Sequence, residues 1–241
     1  MPATLSDPEV RPASGLAESL GRSLRHELGD FLQKVYASVA ILETRIPPDW
    51  QTEREVLSRL RQRAEACRDL LDEIQDLLCP VTLNYESVDM ARLASDLTEA
   101  ARRRFPHLRL IVQADQPAPI NADSKRIAQL GASLLSNACE AARSCVTFTT
   151  VVDPLSGNVH WSITDDGAGI RPESTASLFR PFFSTRPGHV GLGLALAQKL
   201  VLLHGGRMSL ANQPDGGCCC QVWLPSGATN SPILPNGDTA T

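Results

Sequence analysis

The chain has 241 residues, 42% of them hydrophobic, and a formal net charge of −4. That balance lacks the basic excess a nucleic-acid partner needs, and no apolar run approaches the roughly 18 residues of a membrane span. Two domains are expected, each long enough to bury a core.

Residues 1–15 carry Pro8 and Pro12, lack a signal-peptide pattern and are expected to be disordered. A helix is predicted over 16–45, where Leu28, Leu32, Val35, Val39 and Leu42 recur at spacings of 4, 3, 4 and 3, a heptad seam. Ile46-Pro47-Pro48-Asp49-Trp50 breaks it. Leu57, Leu60, Ala64, Cys67, Leu71, Ile74 and Leu78 form a second seam, which Cys79-Pro80 closes. Residues 16–80 therefore read as a helical hairpin. A lone hairpin cannot cover its own seam, so pairing with a second copy into a four-helix bundle is expected, making the protein a homodimer.

After Pro80 the pattern changes. A strand is predicted over 81–88, a helix capped by Asp89 to 104, a strand over 108–114 and a helix over 123–142. Strands follow over 145–152 and 158–164 around a Pro/Gly turn, then loops to 191 and a helix to 204. Strands over 207–212 and 218–224 complete a domain spanning 81–225. The fold class is α+β multidomain: a helical hairpin, then helices layered on one face of a mixed sheet. Residues 226–241 form a polar Pro/Gly tail expected to be disordered. Cys218, Cys219 and Cys220 are consecutive on a strand and alternate faces, so they cannot converge on one metal. The seven cysteines contain no C-x-x-C pair and read as reduced thiols of a cytoplasmic protein.

His26 lies two residues from both Leu24 and Leu28, which places it on the solvent side of the first helix, with Arg22 and Asp30 one turn away and Glu27 adjacent. Exposed, rigidly held and beside a carboxylate, it has what a nucleophile toward a phosphate donor needs. In the helix over 123–142, Asn137 stands beside an apolar face of Ile127, Leu130, Leu134, Leu135 and Ala138. The strand at 158–164 runs into Asp165-Asp166-Gly167-Ala168-Gly169-Ile170, which leaves a carboxylate at a strand end able to accept from an exocyclic amine. Phe179 to His189 mixes aromatics, glycine and two arginines, a flap whose cations can approach phosphates. Gly191-Leu192-Gly193-Leu194 then opens a helix, where backbone N–H groups suit phosphate oxygens.

In that order the parts resemble the sensor histidine kinases of two-component systems, whose ATP domain is of the GHKL (Bergerat) type, over about residues 16–225. Leu24 to Leu28 resembles the H box, Leu134 to Ala138 the N box, Asp165 to Gly169 the G1 box, Phe179 to Phe183 the F box and Gly191 to Gly193 the G2 box. The resemblance implies that His26 accepts the γ-phosphate of ATP, that Glu27 assists as base or orienting acid, and that Asn137 coordinates Mg²⁺. It implies that Asp165 binds the adenine amine, with Gly167 and Gly169 lining the base pocket. Residues 181–190 would be the ATP lid, carrying Phe183 and Arg186, and Gly191, Leu192 and Gly193 would cradle phosphate. The phosphoryl group would pass to an aspartate on a response-regulator receiver domain.

Two departures stand out: Ser133 replaces the first N-box asparagine, and Glu140 stands where many members carry lysine. Arg186 and Arg143 are the candidates for the missing cation. These departures support a rival reading, a non-enzymatic dimeric histidine phosphotransfer or docking protein with a degenerate ATP domain. With about fifteen residues ahead of the first helix, input is expected from an upstream sensory protein, the bundle itself or a ligand. A cytoplasmic location is expected on the same ground.

Overall fold

The computed structural model describes residues 13–47, 49–114, 117–186 and 189–227, with side chains from Arg25 onward. Of the residues expected to be disordered, 1–15 and 226–241, residues 1–12 and 228–241 lie outside the described ones. Contacts divide the chain into two units, meeting at Val81 and Thr82.

The first unit is the hairpin. Helix α1 spans Ala13–Arg45, starting three residues earlier than expected, and α2 spans Gln51–Leu78. At the turn the Arg54 side chain donates to the Ile46 and Pro47 carbonyls, which the end of α1 leaves without intrahelical donors. Leu32 and Val39 of α1 and Leu57 and Ala64 of α2 are buried between the helices. These buried residues repeat at seven-residue spacing on each helix. Other seam positions are open: Leu28, Leu42, Leu60 and Leu78 are exposed, and Phe31, Ile41 and Val56 beside them are too, while Val35, Leu71 and Ile74 are half-buried. Ion pairs across the hairpin, Arg25–Asp72 at 3.2 Å and Arg61–Glu43 at 3.6 Å, are surface contacts worth little. Arg25 also donates to the Gln75 side chain.

The second unit is an α/β sandwich. Its main sheet has the order β2-β4-β5-β7-β6: Arg109–Gln113, Cys145–Val152, Val159–Asp165, Cys218–Leu224 and Arg207–Asn212. β2 runs parallel to β4, and the other pairs are antiparallel. Burial alternates strictly along β5, so one sheet face meets α3 (Met90–Arg104), α4 (Ser124–Ala141) and α5 (Gly193–Leu203). Val146, Phe148, Trp161, Ile163, Val222 and Leu224 supply the sheet side of the core. Trp161 meets Phe148 edge-on at 5.0 Å between centroids. Gly131 lets α4 lie on that indole, since a Cβ there would sit 3.0 Å from the Trp161 ring. The opposite face carries Thr147, Thr149, Ser162, Thr164, Ser209 and Gln221.

The strand expected over 81–88 is shorter and shifted, β1 at Glu86–Asp89. It pairs antiparallel with β3, Pro119–Ala122, a segment given no element in the sequence analysis. The helix cap foreseen at Asp89 is present, and Asp123 caps α4 in the same way. Asp89 accepts from the Ala91 and Arg92 N–H groups and also from Ala118 N–H, tying the start of α3 to the ribbon. Asp123 accepts from Arg126 N–H and Asn84 N–H, while its own N–H donates to His204 Nε2. The other nitrogen of that buried histidine bonds the Leu200 carbonyl, so the ring is satisfied as a neutral tautomer, and burial lowers its pKa. This network fixes the N-terminus of α4 against the end of α5.

Candidate functional site

Helix α4 carries the site. Ile127, Leu130, Leu134, Leu135 and Ala138 are buried, which leaves Ser133, Asn137 and Glu140 half-buried at the margin of that face. Gly193, the first residue of α5, comes close to this margin. A Cβ there would lie 2.8 Å from Ser133 Oγ and 3.6 Å from the Asn137 amide nitrogen. One helical turn or so further along α4, Gly167 abuts the Ala141 carbonyl so closely that a Cβ would overlap it. The N-box asparagine and glycines from two separate loops are thus brought against one helix. The first-turn N–H groups of α5 have no intrahelical acceptors, as an anion seat requires.

Asp165 ends β5 and is buried. Its carboxylate accepts from Gly167 N–H at 2.8 Å and from the N–H of Cys218. Burial raises its pKa above the ordinary carboxylate value, an effect those two donors only partly oppose. Asp166 has another task. It faces outward, accepts from the Ser144 hydroxyl at 2.6 Å and from the Arg143 and Ser144 N–H groups, and is held far below its ordinary value by those bonds. It ties the α4–β4 turn and leaves Asp165 as the carboxylate suited to a ligand. Arg143, a candidate cation, sits in that turn. Asn212 clamps the G1 loop from β6, its amide accepting from Ile170 N–H at 2.6 Å and donating to the Ile170 carbonyl at 2.8 Å.

The flap is pinched at its base. Phe182, at φ 65°, donates its N–H to the Gly191 carbonyl at 2.9 Å. Gly191 has φ +77°, and a Cβ there would overlap the Phe183 carbonyl, so only glycine fits without strain. Leu192 is 1% exposed; its side chain belongs to the core and only its backbone is available to the site. Arg186 crosses to α4, donating to Glu140 Oε2 at 3.0 Å and to the Asn137 carbonyl at 3.1 Å. Of the two candidate cations, it is the one beside Asn137.

In the hairpin, His26 is exposed, its Nδ1 3.5 Å from Asp30 Oδ2. Glu27 is exposed and makes no ion pair with His26 among the described residues. The carboxylate at the ring is therefore Asp30, whose i,i+4 spacing from His26 is the signal for it. The residues that sequence reasoning passed over at the other unit are Asn212, Gly217 and the Glu140–Arg186 pair.

The metal and nucleotide expected here can be tested against these side chains. Mg²⁺ takes hard oxygens, keeps several waters and needs only one or two protein ligands beside phosphate. The Asn137 amide oxygen and the Ser133 hydroxyl meet that requirement, at a point where a glycine leaves space. Among the described residues no group of three or more His, Cys, Asp or Glu side chains could hold a metal, so an all-protein cage is not offered. All seven cysteines are free. No helix among the described residues is long and apolar enough to cross a membrane.

Fold and site together define a GHKL-type nucleotide domain, and residues 122–228 match the family described as histidine kinase-, DNA gyrase B-, and HSP90-like ATPase. The chain is 29% identical to the sensor histidine kinase ZraS of Klebsiella oxytoca, over 86% of this chain and 45% of that protein. It is 28% identical to the circadian input-output histidine kinase CikA of Synechococcus elongatus, over 88% of this chain and 30% of that one. Among solved structures, a mycobacterial sensor histidine kinase, MprB, superposes with a TM-score of 0.55 at 27% identity, covering 61% of this chain and all of that one. Full-length ShkA in complex with AMPPNP superposes with a TM-score of 0.75 at 21% identity, over 90% of this chain and 47% of that one, a likeness of fold. The nucleotide unit thus carries this ATPase domain, and over most of its length the chain is similar to sensor histidine kinases of two-component systems. It spans less than half the length of these curated relatives.

Proposed function

We propose that the chain is an ATP-dependent protein histidine kinase that phosphorylates its own His26 and passes the phosphoryl group to an aspartate of a response regulator. The observation that carries this reading is the alignment along α4, with Gly193, Ser133 and Asn137 at one point and Gly167 against Ala141 at the other, next to the buried Asp165 carboxylate. That spacing suits a nucleotide laid along the helix, phosphates toward Gly193 and adenine toward Asp165. Bound Mg²⁺ would neutralise phosphate charge, with Asn137 and Ser133 as its protein ligands. Asp30, 3.5 Å from Nδ1, is placed to orient a proton there, which leaves the Nε2 lone pair to attack. An N–P bond forms at Nε2, the γ-phosphorus–oxygen bond breaks and ADP leaves, while the carboxylate of Asp30 stabilises the positive ring.

The test is incubation with γ-labelled ATP and Mg²⁺. Label that is lost in acid and stable in base is expected. Absence of label, or label that survives acid, overturns the kinase reading. Nucleotide binding without label would favour the docking protein, to which Ser133 lends support.

Asp165→Asn is expected to weaken ATP roughly 10- to 100-fold, the effect of losing a hydrogen bond to a charged group. With the amide oxygen kept by Gly167 N–H, its NH₂ would face donors instead of accepting from them. Because the Asp165 pKa is raised, ionisation costs the folded state: the stability this group contributes is present below the ordinary Asp value and lost as pH rises through the raised one. ATP affinity runs the other way, since the amine needs the ionised form, and it should fall in wild type, relative to the Asn variant, as pH drops through that raised value. Titration calorimetry across pH reads both.

The open seam positions support a homodimer as the working form. Leu28, Leu42, Leu60 and Leu78 would be covered by the same residues of a second hairpin. Sedimentation at micromolar concentration should give a dimer; a folded monomer contradicts it. The remaining proposals are a receiver-domain partner, an upstream sensory protein and a cytoplasmic location, the last supported by seven free thiols and the use of ATP.

A further inference from the structure

Glu140 is the meeting point of a charge cluster at the edge of the nucleotide site. Its Oε2 takes Arg186 at 3.0 Å and lies 3.6 Å from His189 Nε2. Its Oε1 takes the Ser136 hydroxyl at 3.0 Å and Arg104 at 3.5 Å. A carboxylate this near a phosphate seat would repel the ligand if it stood alone. It does not stand alone: two guanidinium groups face one carboxylate, so the cluster keeps a positive balance even with His189 neutral. The charged neighbours come from α3 (Arg104) and from the flap (Arg186, His189), and α4 itself adds the neutral Ser136.

The geometry points to Glu140 as a positioning residue for nucleotide binding and phosphoryl transfer, which fixes the Arg186 guanidinium beside Asn137 so that its remaining N–H donors face the polyphosphate. This rests on the proposed kinase reading. Arg186 uses one nitrogen on Glu140 and another on the Asn137 carbonyl, and a guanidinium has five N–H donors in a rigid fork. The pair of anchors removes most of the side chain's rotamer freedom before ligand arrives, and a cation held in place costs little reorganisation when charge develops opposite it. Glu140, a departure from the lysine common at its position, thus supplies the site with a cation through a second residue, and the cation comes from the flap.

The experiment is a double-mutant cycle on the full chain, with Glu140→Ala, Arg186→Ala and the double variant. Affinity for a fluorescent ATP analogue is read by anisotropy, autophosphorylation rate by acid-labile label, and folding by thermal melts. Each single variant is expected to weaken the analogue by about 5- to 20-fold. Glu140→Ala is expected to add almost nothing once Arg186 is gone, and Glu140→Gln to restore part of the loss, with melting temperatures unchanged. Additive effects, tighter binding by Glu140→Ala, or losses that follow the melting temperature would overturn the proposal. A wild type that binds the analogue but takes no label sinks the kinase reading alone, because the cycle is then still read from binding. A wild type that binds no analogue overturns both.

Discussion

His26→Gln is expected to take no acid-labile label from ATP while binding nucleotide as wild type does. The ring lies on α1, in a unit distinct from the one holding Asn137 and Asp165. Glutamine matches the length of the side chain but its amide nitrogen has no available lone pair. The loss should therefore be complete to background. His26 is 80% exposed and buried nowhere in the hairpin, so the fold should not respond: the surface pair with Asp30 is worth at most about 1 kcal/mol. Asp30→Asn should label slowly rather than not at all, since it removes the group that orients the ring and keeps the nucleophile. Glu27→Gln should fall closer to wild type than Asp30→Asn. Label counted over time for the three variants checks the order, and residual label on His26→Gln would place the acceptor elsewhere.

Gly217→Ala is expected to be the most damaging single methyl in the nucleotide unit. The residue has φ +85°, which costs an L side chain about 1–2 kcal/mol. A Cβ would overlap the Asp165 carbonyl and sit 2.8 Å from the Asp165 carbonyl carbon and 3.0 Å from the Asp166 Cα. These are backbone atoms at the end of a central strand and cannot step aside as a side chain could. Overpacking adds roughly 1–3 kcal/mol, for a total of about 2–5 kcal/mol. In a unit of this size that lowers the melting temperature by on the order of 10 °C. Nucleotide affinity should fall further than stability alone explains, because the neighbouring Cys218 N–H is one of the two donors that hold the Asp165 carboxylate. A melt and a binding isotherm on the same sample check both.

Much of this architecture can be read from residue types because it is locally encoded. Heptad spacing marks both helices of the hairpin, and Asp89 and Asp123 mark the starts of α3 and α4 through their capping chemistry. The β1–β3 ribbon was not legible: Pro119–Ala122 is four residues long with prolines at 117 and 119, the composition of a loop. What makes it a strand is its partner 30 to 36 residues earlier. At the site, the order of asparagine, aspartate and glycines announced its chemistry, while the partner of each group stayed hidden. Glu140 and Arg186 are 46 positions apart and neither element has a period that would register one against the other. Asn212 and Gly217 read as ordinary turn residues until the G1 loop is seen lying on them. Asp30 is the opposite case, a pairing that helix geometry fixes and that adjacency in sequence obscured in favour of Glu27.

The pairing of β5 with β7 has a consequence for how the protein is made. Asp165 ends one strand and the N–H of Cys218 that holds its carboxylate begins the other, with the flap, α5 and β6 in between. Pairing across so long a stretch is entropically slow and cannot precede synthesis of the later strand. On the ribosome, the helix bearing Asn137 and the first half of the sheet emerge well before the chain that completes the adenine end. On the proposed kinase reading, a growing chain is therefore blind to nucleotide until β7 is out. A stop codon anywhere ahead of that strand would leave a polypeptide that keeps His26 and its hairpin but lacks the strand that completes the proposed nucleotide site.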